Sequence, residues 1–163
     1  MFMMPSFDAG LNVRQAVYDD IPKIHEIVNK SFKLYIENSG LSSIDALDET
    51  VEEIKNDIDS KWVLVAYIGE EIVGSLRIEI SEGGIAYLSR FAVSPESQNL
   101  GIGKSMMHTV DSIMKKSSIK QLRLHTASKN TGLIRFYYGR GFYIDSTTKD
   151  KGYIRALLCK DYA

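Results

Sequence analysis

The stretch from residue 85 to residue 116 leaves this chain little freedom. An apolar run, Ile85–Val93, enters it; Pro95, Gly101 and Gly103 interrupt regular structure; an amphipathic pattern leaves it. In that pattern Met106, Val110, Ile113 and Met114 recur at helical spacing, with Lys104, Ser105, His108, Asp111 and Lys115 between them. The glycines therefore stand where a strand ends and a helix begins. A helix N-terminus carries unpaired N–H groups and a partial positive charge. Glycines there let phosphates approach the backbone closely. On physical grounds residues 98–105 are a candidate pyrophosphate site; the plain alternative is an ordinary Gly-rich turn.

Gly103-Lys104-Ser105 ends like the phosphate loop of nucleotide hydrolases. That motif needs a glycine where Gln98 stands, and no apolar strand ending in Asp follows to hold magnesium. The dinucleotide fingerprint needs three glycines at another spacing. Gln98-x-x-Gly101-x-Gly103, following Val93-Ser94-Pro95, resembles instead the acetyl-CoA loop of the GNAT family of N-acetyltransferases. A second segment agrees. Asn130-x-x-Leu133-x-x-Phe136-Tyr137-x-x-x-Gly141-Phe142 is similar to that family's C-terminal motif, with Leu133 in place of the commoner Ala. The resemblance spans nearly the whole chain, from about Val13 to Lys160.

Composition sets the bounds. At 163 residues the chain is long enough for one domain, 1–163, with a real core. Residues 1–11 read as a loose tail. A net charge of −1 gives no global attraction to nucleic acid or to an anionic membrane, and no apolar run approaches a membrane span. The single cysteine, Cys159, excludes an internal disulfide and a cysteine zinc cluster, and no ligand spacing suggests a metal. A cytoplasmic setting is expected. A homodimer is left open.

Along the chain, residues 12–16 read as a strand. Asp20 and Pro22 start a helix whose stripe is Ile21, Ile24, Val28, Phe32 and Tyr35, ended by Asn38-Ser39-Gly40. Asp48 is the candidate cap of a second helix with Val51, Ile54 and Ile58 facing inward. Residues 62–68 read as a strand buried on both faces. Ile72, Leu76, Ile78 and Ile80 belong to the next strand. The run 85–93 follows, then the loop and helix. Residues 121–126 alternate as a strand that the helix connects in parallel. Residues 130–138 read as a short helix, and 142–148 with 153–160 as a terminal hairpin. The fold class is α+β. It has a mixed, mostly antiparallel central sheet with helices on both faces, and a parallel strand-helix-strand crossover at the coenzyme site.

The resemblance implies roles. The pantetheine arm of acetyl-CoA would lie along Phe91, Ala92 and Val93. The pyrophosphate would meet backbone N–H groups of Gln98, Asn99, Leu100, Gly101, Ile102, Gly103 and Lys104, with the Ser105 hydroxyl nearby. Asn130 would bond the coenzyme, and it also suits a helix N-cap. Tyr137 is the catalytic candidate, because a phenol of pKa ~10 can give a proton or a hydrogen bond to a leaving thiolate. Tyr138 beside it is read as the non-functional neighbour. Glu79 and Tyr87 are the candidate relays for the amine proton. His125, at a strand end, is read as structural, and His25 and His108 as solvated.

The reading is an acyl-CoA-dependent N-acetyltransferase. Its acceptor is a primary amine of a small molecule or peptide, attacking directly in a ternary complex, with no acyl-enzyme on Cys159. The rival is a silent acetyl-CoA sensor of the same fold. The acceptor is shaped by residues 32–47 and the terminal hairpin, where Glu37, Asp45 and Asp48 give a mild negative bias.

Overall fold

The computed structural model describes residues 10–98 and 100–163. Among these residues one sheet runs in the order β1-β2-β3-β4-β5-β7-β6. The strands are β1 (Leu11–Gln15), β2 (Trp62–Ile68), β3 (Glu71–Ser81), β4 (Ile85–Val93), β5 (Gln121–Ala127), β6 (Tyr143–Thr148) and β7 (Arg155–Asp161). Pairing is antiparallel except between β4 and β5, which the helix α3 (Ile102–Lys116) connects. β7 inserts between β5 and β6, so the terminal hairpin extends the sheet from its inner strand.

Strand alternation feeds two cores. Val63 and Val65 of β2 pack with Ile21, Ile24, Val28 and Ile54 from α1 (Ile21–Ser39) and α2 (Val51–Ser60). Leu64 and Ala66 face the other way. They join Leu76, Ile78, Leu122 and Leu124 against Met106, Val110, Ile113 and Met114 of α3 and Tyr137 of α4 (Thr131–Gly139). The helical stripe of α3 is thus the one its sequence spacing predicts. Ile54 and Met106 are fully enclosed, and each such side chain contributes ~1.5–3 kcal/mol. No helix among the described residues is long and apolar enough to cross a membrane.

Several local details differ from the sequence reading. Leu11, assigned there to the tail, opens β1 and is buried; residues 1–9 lie outside the described residues. Asp20 does not cap α1. Its carboxylate takes both forks of Arg14 and the Val17 N–H, because a cation and a free donor lie closer to it than the helix N–H groups. α2 is capped by Thr50, not Asp48: the Thr50 hydroxyl accepts from Glu53 N–H at 3.1 Å, and Glu53 reaches back to Thr50 N–H at 3.0 Å. This shifts the helix start, so Val51 is exposed while Ile54 keeps its inward place. Ile80 is exposed near the far end of β3.

One irregularity shapes the site. Ser75 pairs with Ala92 and Arg77 with Ser89, so Leu76 alone faces both Arg90 and Phe91. The extra residue is a β-bulge, and Arg90 takes the strained φ of 51°.

Candidate active site

The parallel ladder between β4 and β5 covers Ile85–Gln121, Ala86–Leu122 and Tyr87–Arg123, and then stops. β5 continues in pairing with β7 through Ala127 and Arg155. The bulge turns β4 away at the same level. The two strands part and open a cleft of about 710 Å³, also walled by the end of α1, the first turn of α3, and α4.

On one side stands the start of α3. Its N-cap is Gly101, at φ 75°, a left-handed conformation that favours glycine. Intrahelical bonding begins with the Ser105 N–H on Gly101 O at 3.0 Å. The N–H groups of Ile102, Gly103 and Lys104 therefore have no partner within the helix. Gln98, Gly101, Ile102, Gly103 and Lys104 line the cleft with Phe91 and Val93. Other candidates fall outside the lining. Ala92 points into the core under α1, Leu100 is exposed, and Ser105, whose hydroxyl was the candidate group, is not part of the lining and directs its N–H to Gly101 O. Gln98 N–H is likewise directed to Pro95 O at 3.4 Å. Asn99 lies outside the described residues. Gly103 sits under Phe91 and Phe136, whose ring atoms come within 3.5 Å of where a Cβ would be.

Asn130 is buried on the cleft wall and caps α4. Its Oδ1 accepts from Leu133 N–H at 3.2 Å and its Nδ2 donates to Ser39 Oγ at 3.2 Å. An amide has two donors and two acceptor sites, so one of each remains. Thr126, on β5, also faces the cleft, and its Oγ1 is buried with no partner. Tyr137 reaches the cleft from α4, boxed by Phe91, Phe136 and Phe142 at centroid distances of 6.4, 5.3 and 5.4 Å. Burial raises its pKa well above 10, so the phenol keeps its proton. Tyr138 points to solvent.

On the opposite side Tyr87 Oη lies 2.5 Å from His125 Nδ1, and both line the cleft. Burial, and then the nearby Arg155 charge, lower the His125 pKa below 6.5. Burial raises that of Tyr87. Both groups are therefore neutral at neutral pH, and the short contact is a phenol–imidazole hydrogen bond. The structural role given to His125 by sequence is replaced by a place in the cleft wall. Glu79 is exposed and does not line the cleft. His25 is not simply solvated either, since Nε2 lies 3.1 Å from Glu49 O. Nothing in the spacing of residues 87 and 125 announces their meeting; only the β4–β5 register brings it about.

Behind this wall Glu49 grips Arg77 through two bonds of 2.5 and 2.6 Å and Arg90 Nε at 3.2 Å. The turn before α2 is so tied to the bulge. Of residues 32–48, Phe32, Tyr35, Asp45 and Ala46 are among those that line the cleft, while Glu37 and Asp48 do not, so the acidic bias expected there is mostly turned away. The Tyr35 hydroxyl accepts from Ala127 N–H at 2.7 Å, holding α1 to the open edge of β5.

The sequence model of the Acetyltransferase (GNAT) family matches residues 21–142. The chain belongs to the GNAT acetyltransferase family. This acetyltransferase is also 27% identical over 150 residues to a spermidine N(1)-acetyltransferase of Thermoplasma acidophilum, covering 85% of this chain and 91% of that one. Its fold superposes on the PaiA N-acetyltransferase of T. acidophilum in complex with coenzyme A. The TM-score is 0.82 at 23% identity, over 93% of this chain and 99% of the other. Ard1 from Thermoplasma volcanium gives a TM-score of 0.80 at 18% identity, over 95% and 99%. At those identities the two structures establish the fold.

The enzyme is an acyl-CoA-dependent acetyltransferase, and acetyl-CoA is its acyl donor. The cleft suits that donor on its own terms. It offers a helix start with free N–H groups, a glycine at φ 75°, and an orphaned Thr126 hydroxyl on the wall. Among the described residues no cluster of His, Cys, Asp and Glu is placed to hold a metal ion.

Proposed function

We propose that this acetyltransferase acetylates the primary amine of a small molecule by direct attack in a ternary complex. The observation that carries the reading is that one cleft has the start of α3 on one side and the Tyr87–His125 pair on the other. Holding two reactants in one such opening turns a bimolecular reaction into an effectively unimolecular one.

Acetyl-CoA supplies the acetyl thioester and leaves as a thiolate. The N–H groups of Ile102, Gly103 and Lys104 bind its pyrophosphate, within the loop formed by residues 98–105. Phe91 and Val93 flank the pantetheine arm, and Asn130 has a donor and an acceptor left for it. Tyr87 accepts the amine proton while passing its own to His125 Nδ1, which is neutral at neutral pH because its pKa is lowered. Tyr137 donates a hydrogen bond to the leaving sulfur. Full proton transfer is uphill, because its pKa lies above 10 and a thiol's is ~8.5. Cys159 is buried in β7 away from the cleft, which agrees with direct attack rather than an acyl-enzyme.

The test is a panel of primary amines with acetyl-CoA, reading free thiol and the mass of the product. Spermidine belongs in the panel because a relative is named for it. Amine-dependent thiol release with an N-acetylated product supports the reading. Tight acetyl-CoA binding with no turnover on any amine supports a silent sensor instead.

A further inference from the structure

The charge of the cleft wall narrows the acceptor, on the condition that the N-acetyltransferase reading above holds. In the half that faces Tyr87 and His125 the charged lining is Arg90, Lys151 and Arg155, with Asp45 as the carboxylate among them. The Asp45 side chain is 80% exposed and sits 3.5 Å from Lys151. The carboxylates that balance the arginines are not part of the lining. Glu49 is buried behind Arg90, and Asp150 meets Arg155 from the hairpin turn. The cleft thus presents N–H donors, with its negative charge set behind them or at the rim. A polyamine needs the reverse, carboxylates facing inward.

Arg155 is the specific group. Its Nη2 holds the two Asp150 oxygens, each at 3.1 Å, while its Nε is buried with no hydrogen-bond partner. Buried donors are normally paired, so an orphan on a cleft wall marks where a ligand atom completes the set. The register brings it near the chemistry. His125 pairs with Leu157, so Arg155 stands at the diagonal position on the same sheet face, roughly 7–8 Å away. An amine seated at Tyr87 and His125 has this guanidinium within a few bonds' reach. The planar fork of a guanidinium matches a carboxylate in geometry and charge.

We infer that the acceptor is a free amino acid, its carboxylate held by Arg155 while its primary amine faces the Tyr87–His125 pair. The rest of the lining fits: Tyr35 and Phe32 offer an apolar wall for a side chain, and Lys151 adds a second cation.

The experiment compares matched amines differing only in the carboxylate: phenylalanine with phenethylamine, and tyrosine with tyramine, with spermidine alongside. Thiol release from acetyl-CoA is measured for each. The acid-bearing member of each pair should show kcat/KM higher by tenfold or more, and spermidine should be poor. Arg155→Gln should raise KM for the amino acid by on the order of 10²-fold, level the pair, and leave the Kd for acetyl-CoA as in the wild type. Arg155→Lys should restore part of the preference. Higher turnover of the decarboxylated amines or of spermidine overturns the inference and leaves the N-acetyltransferase reading standing. An equal loss for both members in Arg155→Gln does the same. If Arg155→Gln does not fold, the matched pairs on the unaltered protein decide alone. Absence of thiol release with every amine, while acetyl-CoA still binds, defeats the transferase reading and the inference with it.

Discussion

The phenol oxygen of Tyr87 lies 2.5 Å from Nδ1 of His125, where β4 and β5 part. The strand before the bulge supplies the phenol and the strand that diverges supplies the imidazole. The pH profile should show this pair. His125 has a lowered pKa in the folded protein, so it is neutral at pH 7 and becomes charged only when pH falls below 6.5. The acid limb of kcat/KM should therefore lie below 6.5, with a plateau at neutral pH. His125→Asn should remove that limb and lower the plateau on the order of 10²-fold, and Tyr87→Phe should lower it similarly, both with acetyl-CoA affinity unchanged. An unaltered acid limb in His125→Asn would contradict the relay.

Glu49 is the hinge of the cleft's rear wall. It is buried, and its carboxylate binds both the enclosed Arg77 and the bulge residue Arg90. Glu49→Gln leaves the Arg77 charge with Asp57 alone, at 2.8 Å. Removing one partner of a buried ion pair costs about 3 kcal/mol or more, because the other charge stays desolvated. Denaturant unfolding should show the midpoint falling with the slope unchanged. An unchanged midpoint would mean that Asp57 compensates fully.

The order of elements and the glycine turn at the start of α3 were legible in the chain because both rest on local signals. Helical spacing from Met106 to Met114, a strand run ending at Val93, and glycines at 101 and 103 need no tertiary knowledge. The Tyr87–His125 pair, the Arg90 bulge and the Arg155 guanidinium were not legible, because each depends on register between segments far apart in sequence. Capping was half legible: Asp48 was the candidate in the sequence, and Glu53, three residues after Thr50, makes Thr50 the cap instead. Glu49 could not be read as buried, since an acidic residue in a polar loop looks solvated until Arg77 is brought beneath it.

At the start of α3, Gly101→Ala and Gly101→Asp separate strain from charge. Each puts a Cβ at φ 75°, costing ~1–2 kcal/mol of stability. If the pyrophosphate binds at this turn, Gly101→Asp also sets a carboxylate against it and should lose acetyl-CoA affinity by far more than Gly101→Ala. Calorimetry finding the two variants equal in affinity would speak against phosphate binding at this turn.

Asn130 both caps α4 and faces the cleft. Asn130→Ala should lower stability by ~1 kcal/mol through the lost cap. It should also weaken acetyl-CoA binding by ~1–2 kcal/mol through a lost buried hydrogen bond. A fall in Tm with unchanged affinity would leave Asn130 as a cap alone.

Transfer in this cleft is tested most directly by the single-turnover rate of Tyr137→Phe beside Tyr138→Phe, with acetyl-CoA and an accepted amine at saturation. Both substitutions keep the ring and delete one hydroxyl, but Tyr137 is buried against the cleft and Tyr138 points to solvent. A hydrogen bond to the leaving sulfur predicts a loss on the order of 10²-fold for Tyr137→Phe. It also predicts near wild-type rate for Tyr138→Phe and unchanged coenzyme affinity for both. A Tyr137→Phe enzyme that transfers acetyl as fast as the wild type would contradict the account.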